Sequence, residues 1–366
     1  MQDIRVHLGS RSYSIVVGDG VLASVGHRLR ALGAGPRAAV VSDPPIIKLH
    51  GETVLDSLRA AGFILTVIEL PEGEEAKTLA AAETCWNALL QAGLDRTSTV
   101  LALGGGAIGD VAGFVAATYM RGIGFVQLPT TVLAQVDASI GGKTAIDHPQ
   151  AKNLIGAFYQ PRFVLVDPRI VLTLPEREFR SGLAEVVKHG IVLDAVYFAD
   201  VERHVDLLLA RDLGALERVI GGSCRLKASV VERDEREAEL RAALNYGHTV
   251  GHALEAVTRY ARWAHGEAVA LGIAAAARLA QRLGHATADT VDRQERLLGA
   301  VGLPTRLPEI DHDAVLEAMR RDKKARDGKV PFVLAPTIGE FRLVHDVPAA
   351  DVRAVLRELT APATVC

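Results

Sequence analysis

The sequence predicts an α/β fold in two parts: a parallel-sheet domain over residues 1–175 and a mainly α-helical domain over residues 176–366. Three observations predict it. Short apolar runs, of the kind buried on both faces of a covered sheet, alternate with helical patterns through the first half. One of those runs feeds straight into glycines that open a helix. Beyond Leu174-Pro175 strand-like runs nearly vanish and long helical patterns take over.

The elements follow in order. Ala38-Ala39-Val40-Val41 runs into Ser42-Asp43, an apolar strand ending in polar residues. Ile64 to Leu70 is a second strand, and Ala80 to Ala92 a helix closed by Gly93. Val100 to Leu103 is a third strand, followed by Gly124 to Pro129 and Phe163 to Asp167. In the second half the spacing of apolar residues predicts helices over Ala184–Leu193, Leu213–Arg233, Ala242–Thr258, Gly266–Leu283 and Thr287–Val301, with one late strand over Val330–Leu334. Thr360 to Cys366 reads as a loose tail.

Composition narrows the function classes. At 366 residues the chain exceeds one ordinary core, and 49% hydrophobic residues suffice for two. A formal charge of -3 with both signs mixed argues against a nucleic-acid partner. The three cysteines, Cys85, Cys224 and Cys366, are scattered and show no CxxC spacing, so neither a disulfide framework nor a thiolate metal site is expected. The N-terminus has no basic-then-apolar leader, and the longest greasy stretch, Ala268–Ala280, is too short for a bilayer and carries Arg278. The expectation is a cytoplasmic protein with no membrane partner.

Gly104-Gly105-Gly106-Ala107-Ile108-Gly109-Asp110 joins a buried strand to a helix. Glycines there let a phosphate approach the backbone, and the helix N-terminus supplies free N–H groups, as a Rossmann-like first half would require. A tight strand–helix turn alone would also satisfy the pattern, and the acidic residue expected about 20 positions on is absent. Asp43, at the end of an earlier strand, is the substitute for a ribose contact. Pro71-Glu72-Gly73-Glu74-Glu75-Ala76-Lys77 also follows a strand, and reads either as a polar contact loop or as a solvated charged turn.

In the second half, His248 and His252 stand four apart on one helical face, with Glu255 nearby. His265-Gly266-Glu267 precedes the next helix, and Glu185 and Lys188 lie three apart on an earlier one. One carboxylate and two histidines with an open position suit a catalytic divalent cation. Spacing alone leaves open which histidines ligate. The segment Gln135 to Asn153 gathers Asp137, Lys143, Lys152 and Asn153, and with Lys188, Lys227, Arg241 and Lys323-Lys324 the chain has cations enough for a phosphate and a carboxylate.

Taken together these motifs resemble the 3-dehydroquinate synthase family. The likeness is carried by Gly104 to Phe114, Arg121-Gly122, Pro129 to Thr131, Asp137 to Lys143, Lys152 to Phe158, Ser181 to Gly190, Leu244 to Glu255, His265 to Glu267 and Asp322 to Lys324 with Gly328-Lys329. The resemblance implies that Glu185, His248 and His265 bind one divalent metal, Zn²⁺ or Co²⁺. It implies an NAD site at Asp43, Glu72, Gly73, Glu74, Glu75, Lys77, Gly105, Gly106, Ala107, Ile108, Gly109, Asp110, Thr130, Thr131 and Asp137, with Lys143 and Lys152. It implies a substrate pocket of Lys143, Lys152, Asn153, Lys188, Lys227, Arg241, Asn245, His252 and Lys324, with Lys323 the alternative to Lys324. Arg121 would reach the phosphate across a homodimer interface.

The implied substrate is a phosphorylated sugar acid, 3-deoxy-D-arabino-heptulosonate 7-phosphate. The implied sequence is transient oxidation of a hydroxyl by NAD⁺, elimination of phosphate, return of the hydride and aldol closure to a carbocycle. The alternatives are a related sugar-phosphate cyclase of secondary metabolism and a metal-dependent polyol dehydrogenase that releases NADH.

Overall fold

The apolar runs of the first half become the strands of one sheet. The computed structural model describes residues 1–320 and 330–360. Its strands are β1 Gln2–Val6, β2 Tyr13–Val17, β3 Arg37–Ser42, β4 Ile64–Glu69, β5 Thr99–Gly104, β6 Gly124–Pro129, β7 Lys143–His148, β8 Ala151–Phe158, β9 Phe163–Val166, β10 Phe332–Leu334 and β11 Arg342–Val344. Seven of them form a sheet in the order β1-β2-β9-β6-β5-β3-β4. All its neighbours pair in parallel except β1 with β2. The chain clusters into two compact units. One comprises Met1–Leu174 with Leu216–Arg236, and the other Pro175–Ala215 with Glu237–Cys366. The segment 216–236, which the sequence groups with the helical half, therefore clusters with the sheet.

Alternation along the central strands explains why they read as continuous apolar runs. Ala38 and Val40 of β3 share one core with Leu101, Leu103, Val126 and Leu128, beneath Val25, Leu29, Val54 and Leu58 of the helices Val25–Ala31 and Glu52–Ala60. Ala39, Val41, Val100, Ala102 and Phe125 face the opposite core with Ala82, Cys85, Leu89, Ile108 and Val111 of the helices Leu79–Gln91 and Gly106–Thr118. Both faces are covered, so no polar alternation survives. Burying each such side chain contributes roughly 1.5–3 kcal/mol; Leu101→Ala, at a fully buried position, costs about 2–5 kcal/mol.

The sheet order also fixes where a ligand can sit. From β3 the chain moves outward to β4, then returns to place β5 on the other side of β3 and β6 beyond it. The winding therefore reverses between β3 and β5, and a doubly wound sheet binds ligands outside the carboxyl ends of its strands at that point. Asp43 follows β3 and Gly105 follows β5.

In the second unit the helix His265–Arg282 is buried almost all round, as its alanine-rich sequence allows. Glu176–Leu193 begins eight residues earlier than the sequence suggests, on Pro175 and the acidic first-turn residues Glu176 and Glu178. The expected helix Ala242–Thr258 is divided: Leu240–Asn245 is a 3₁₀ turn, and the α-helix starts at His248. Gly247 makes the break. Its φ is +79°, and a Cβ there would lie 2.8 Å from the Val269 carbonyl oxygen, so only glycine fits.

Within and beyond the segment Gln135 to Asn153, where the sequence shows no strand pattern, Lys143 to Phe158 forms a two-stranded antiparallel hairpin of β7 and β8 with a bulge between Ile146 and His148. Leu154, Ile155 and Phe158 are exposed on β8, so burial writes no strand alternation into the sequence. β1 and β2 likewise went unread. Lys323 and Lys324, and the tail after Thr360, lie outside the described residues. No helix among the described residues is long and apolar enough to cross a membrane.

Candidate active site

At the switch point Gly105 is the N-cap of the helix Gly106–Thr118, in extended backbone and with no side chain closing the first turn. The leading N–H groups and the positive end of the helix dipole are thus left to an anion. Ile108 packs into the core, so that residue offers only its backbone. Thr130 follows the neighbouring strand β6 with its hydroxyl buried and without a hydrogen-bond partner. Thr131 Oγ1 accepts from the Ala134 N–H at 3.0 Å. Asp43 caps its own turn, accepting from the Ile46 N–H at 3.0 Å, and burial raises its carboxyl above the usual range. These residues fit a dinucleotide: free amides, glycine backbone, an unsatisfied hydroxyl and an acid, all at strand ends.

A polar cluster joins this end of the sheet to the β7–β8 hairpin. Lys77, 3% exposed in its side chain, donates to Asp110 Oδ2 at 2.7 Å and also to Asn153 Oδ1. Burial lowers the lysine's proton affinity, but Asp110 and Glu74 outweigh it and the net shift is upward. Burial raises the Asp110 carboxyl against the opposing pull of Lys77. Lys152 pairs with Glu74 Oε2 at 3.0 Å. Lys227, buried on the helix Leu213–Arg233, engages both the carboxylate and the carbonyl of Asp137. Lys143 opens β7 and is exposed, as are Glu72, Gly73 and Glu75.

The second unit gathers the other group. Glu185 is fully buried, and neither carboxylate oxygen has a directed hydrogen bond, although Lys188 forms an ion pair with it. His248 Nε2 lies 3.7 Å and His265 Nε2 3.8 Å from Glu185 Oε1. One ligand atom from each of the three falls within 4.8 Å of the others. Their other ring nitrogens are engaged: His248 Nδ1 is 3.2 Å from the Tyr246 carbonyl oxygen and His265 Nδ1 3.2 Å from Glu255 Oε1. Donation from both Nδ1 atoms leaves both Nε2 lone pairs toward Glu185, a donor set suited to a divalent cation. Burial lowers the proton affinity of His265, but Glu255 and Glu185 outweigh it.

Local packing explains why Glu185 and His265 meet. The Gly266 N–H donates to Ser181 Oγ at 2.9 Å, and a Cβ on Gly266 would fall 1.9 Å from the Ser181 carbonyl oxygen. A glycine beside His265 lets its helix press onto Glu176–Leu193 one turn before Glu185. His252 stands in the same cluster, its ring 5.1 Å from that of His248 and 6.2 Å from that of His265. Arg241 is 2% exposed, and Asn245 Nδ2 donates to Glu237 Oε1 at 2.9 Å.

The expected residues thus fall into two groups, one per unit. Arg121 stands apart, exposed in a left-handed turn with Met120 (φ 68° and 50°). Sequence reasoning did not assign Glu255 its contact with His265, although its position seven residues after His248 puts it on the same helical face. Glu237 and Asp147 were missed outright, since each acts from a loop or bulge.

A doubly wound sheet with a glycine turn at its switch point, in a chain that also holds a buried Glu–His–His cluster, defines the class: nucleotide-binding enzymes with a divalent-cation centre. A model of the 3-dehydroquinate synthase N-terminal domain matches residues 67–181, and one of the C-terminal domain matches residues 182–325. The 3-dehydroquinate synthase of Geobacter metallireducens is 52% identical over 366 residues, covering 100% of this chain and 99% of that protein. That of a Picosynechococcus species is 49% identical over 362 residues, with 98% of each covered. The chain belongs to the 3-dehydroquinate synthase family. Among solved structures, 2-deoxy-scyllo-inosose synthase complexed with carbaglucose-6-phosphate, NAD⁺ and Co²⁺ superposes with a TM-score of 0.89 at 27% identity, over 98% of this chain and 100% of that one. The 2-epi-5-epi-valiolone synthase of Streptomyces hygroscopicus with NAD⁺ and Zn²⁺ bound gives 0.88 at 29%, over 96% and 98%.

Proposed function

We propose that the protein is a carbon–oxygen lyase that converts 3-deoxy-D-arabino-heptulosonate 7-phosphate to 3-dehydroquinate and phosphate, by transient oxidation, elimination, re-reduction and aldol closure. The observation that carries this reading is the Glu185–His248–His265 cluster in a chain 52% identical over its full length to a 3-dehydroquinate synthase. When bound, NAD would supply a hydride acceptor and the metal ion a Lewis acid.

The chain's own residues supply the rest. Gly105, Gly106 and Asp110 at the glycine turn, with Asp43, Glu72, Gly73, Glu74, Glu75, Lys77, Thr130, Thr131 and Asp137, hold the dinucleotide. Lys143, Lys152, Asn153, Lys188, Lys227, Arg241, Asn245 and His252 bind the anionic substrate. Lysines held near carboxylates, as Lys152 is by Glu74 and Lys227 by Asp137, stabilise negative charge where it develops on a reacting oxygen. His252 and Asn245 orient the phosphate.

The reading includes a homodimer in the cytoplasm, with Arg121 reaching the partner's substrate. The exposed Leu154, Ile155 and Phe158 on β8 support an apolar contact there. The turn carrying Arg121 abuts the end of that strand, with a Gly122 Cβ position 3.1 Å from the Tyr159 hydroxyl. Buried Cys85 and Cys224, whose thiols burial pushes up to about 12, are inert and need no oxidising compartment.

The test is phosphate release from the heptulosonate phosphate with metal and a trace of NAD⁺, with the carbocyclic product identified by mass and NMR. Stoichiometric phosphate and 3-dehydroquinate, lost on chelation, are expected. A different carbocycle from another sugar phosphate would assign the chain to a sister reaction, and NADH accumulating with polyols to a dehydrogenase.

A further inference from the structure

Asp147 sits in the bulge between Ile146 and His148, where the β7–β8 register slips. A bulge releases one residue from the ladder and re-aims its side chain. Here the carboxylate turns onto the opposing strand and accepts the Asn153 N–H at 2.7 Å. Asn153 is held at φ +55°, a left-handed conformation that a non-glycine residue adopts only when its surroundings impose it. The Asp147 N–H donates in turn to the Lys77 carbonyl oxygen at 2.8 Å.

Asp147 therefore touches both halves of the cluster. Its backbone is tied to Lys77, which grips Asp110 on the glycine-turn helix. Its side chain fixes the backbone from which Lys152 and Asn153 project. We propose that Asp147 is a positioning residue that sets the spacing of Lys152 and Asn153 against the nucleotide end of the sheet. The inference rests on the reading of Lys152 and Asn153 as substrate-binding residues.

Removing the carboxylate leaves Asn153 without the acceptor that holds its strained backbone, while the Asp147 N–H still bonds to Lys77. Asparagine at the same position keeps an acceptor oxygen. The test compares D147A and D147N in the holoenzyme by steady-state kinetics, NAD⁺ titration and melting temperature, with hydrogen exchange at the Asn153 amide. Loss of the acceptor frees the Asn153 backbone, so kcat/KM of D147A should fall about tenfold to a hundredfold, mainly through KM. D147N should stay within about threefold of the parent, and the Asn153 amide should lose protection in D147A alone. Unchanged kcat/KM in D147A, an equal loss in D147N, or an Asn153 amide still protected in D147A would each overturn the proposal. Should the parent enzyme itself release no phosphate, the functional reading fails separately, and the exchange measurement still decides whether Asp147 positions Asn153.

Discussion

The polar cluster of the first unit and the histidine cluster of the second solve opposite electrostatic problems. In the first, cations outside any metal site are neutralised in pairs by carboxylates of the same unit: Lys77 by Asp110, Lys152 by Glu74 and Lys227 by Asp137. In the second, a fully buried carboxylate, ion-paired to Lys188, also faces two imidazole nitrogens, with their protons held on the far side by Tyr246 and Glu255. Paired charges suit a surface that exchanges partners when an anionic ligand arrives. A carboxylate and two lone pairs converging on one point suit a cation that stays. The two regions should therefore break independently.

The largest separation should come from Glu185→Ala. Elemental analysis should find the purified variant without bound metal, and kcat/KM for phosphate release should drop by at least about a thousandfold, since a Lewis acid contributes several kcal/mol. NAD⁺ affinity should hold within about threefold; a collapse of both together would erase the distinction between the regions.

Lys77→Met attacks the other side. It strands Asp110 beside an apolar side chain, and breaking one partner of a buried pair costs about 3–5 kcal/mol, trimmed here because the Asp110 side chain is 20% exposed. Chemical denaturation should report a loss of about 2–4 kcal/mol and weaker NAD⁺ binding, while metal content stays at the parent level.

Glu255→Gln sharpens the second region. The amide keeps the shape but weakens the acceptor for His265 Nδ1–H, and loss of such an outer partner typically costs tenfold to a hundredfold in metal affinity. Competition against a chelator should show a drop of about that size, and the visible spectrum of the Co²⁺-loaded variant should shift as the ring reorients.

The smallest effect belongs outside both regions. Arg169 grips Asp19 with bonds of 2.5 and 2.7 Å on an exposed surface, and that hydrogen bonding holds the Asp19 carboxyl below the usual range. A depressed carboxylate contributes stability above its ordinary pKa, and that contribution is lost as pH falls through the lowered value. Arg169→Ala should therefore flatten the acid limb of melting temperature against pH and leave phosphate release and metal content alone.

What the sequence made legible follows from where burial leaves a mark. β3, β5, β6 and β9 are covered on both faces, and the helix Leu79–Gln91 carries its Gly93 stop in plain letters. The glycine turn was visible because close backbone approach excludes side chains. The β7–β8 hairpin was not, because backbone pairing holds it and its outward residues Leu154, Ile155 and Phe158 are exposed. The break at Gly247 depends on the Val269 carbonyl, far along the chain, and so hid within a helical pattern. The same holds for Leu216–Arg236, whose allegiance to the sheet is decided by tertiary packing. Histidine spacing pointed to a metal without choosing the ligands; Nε2 placement around Glu185 brings His248 and His265 together.

The most direct test is a single turnover of the metal-loaded protein with stoichiometric NAD⁺ and the heptulosonate phosphate, following phosphate and reduced-nicotinamide absorbance together by rapid mixing. The account predicts an absorbance that rises and returns to its starting value while one equivalent of phosphate is released. Phosphate release with no transient, or reduced nicotinamide that persists after turnover, would contradict it.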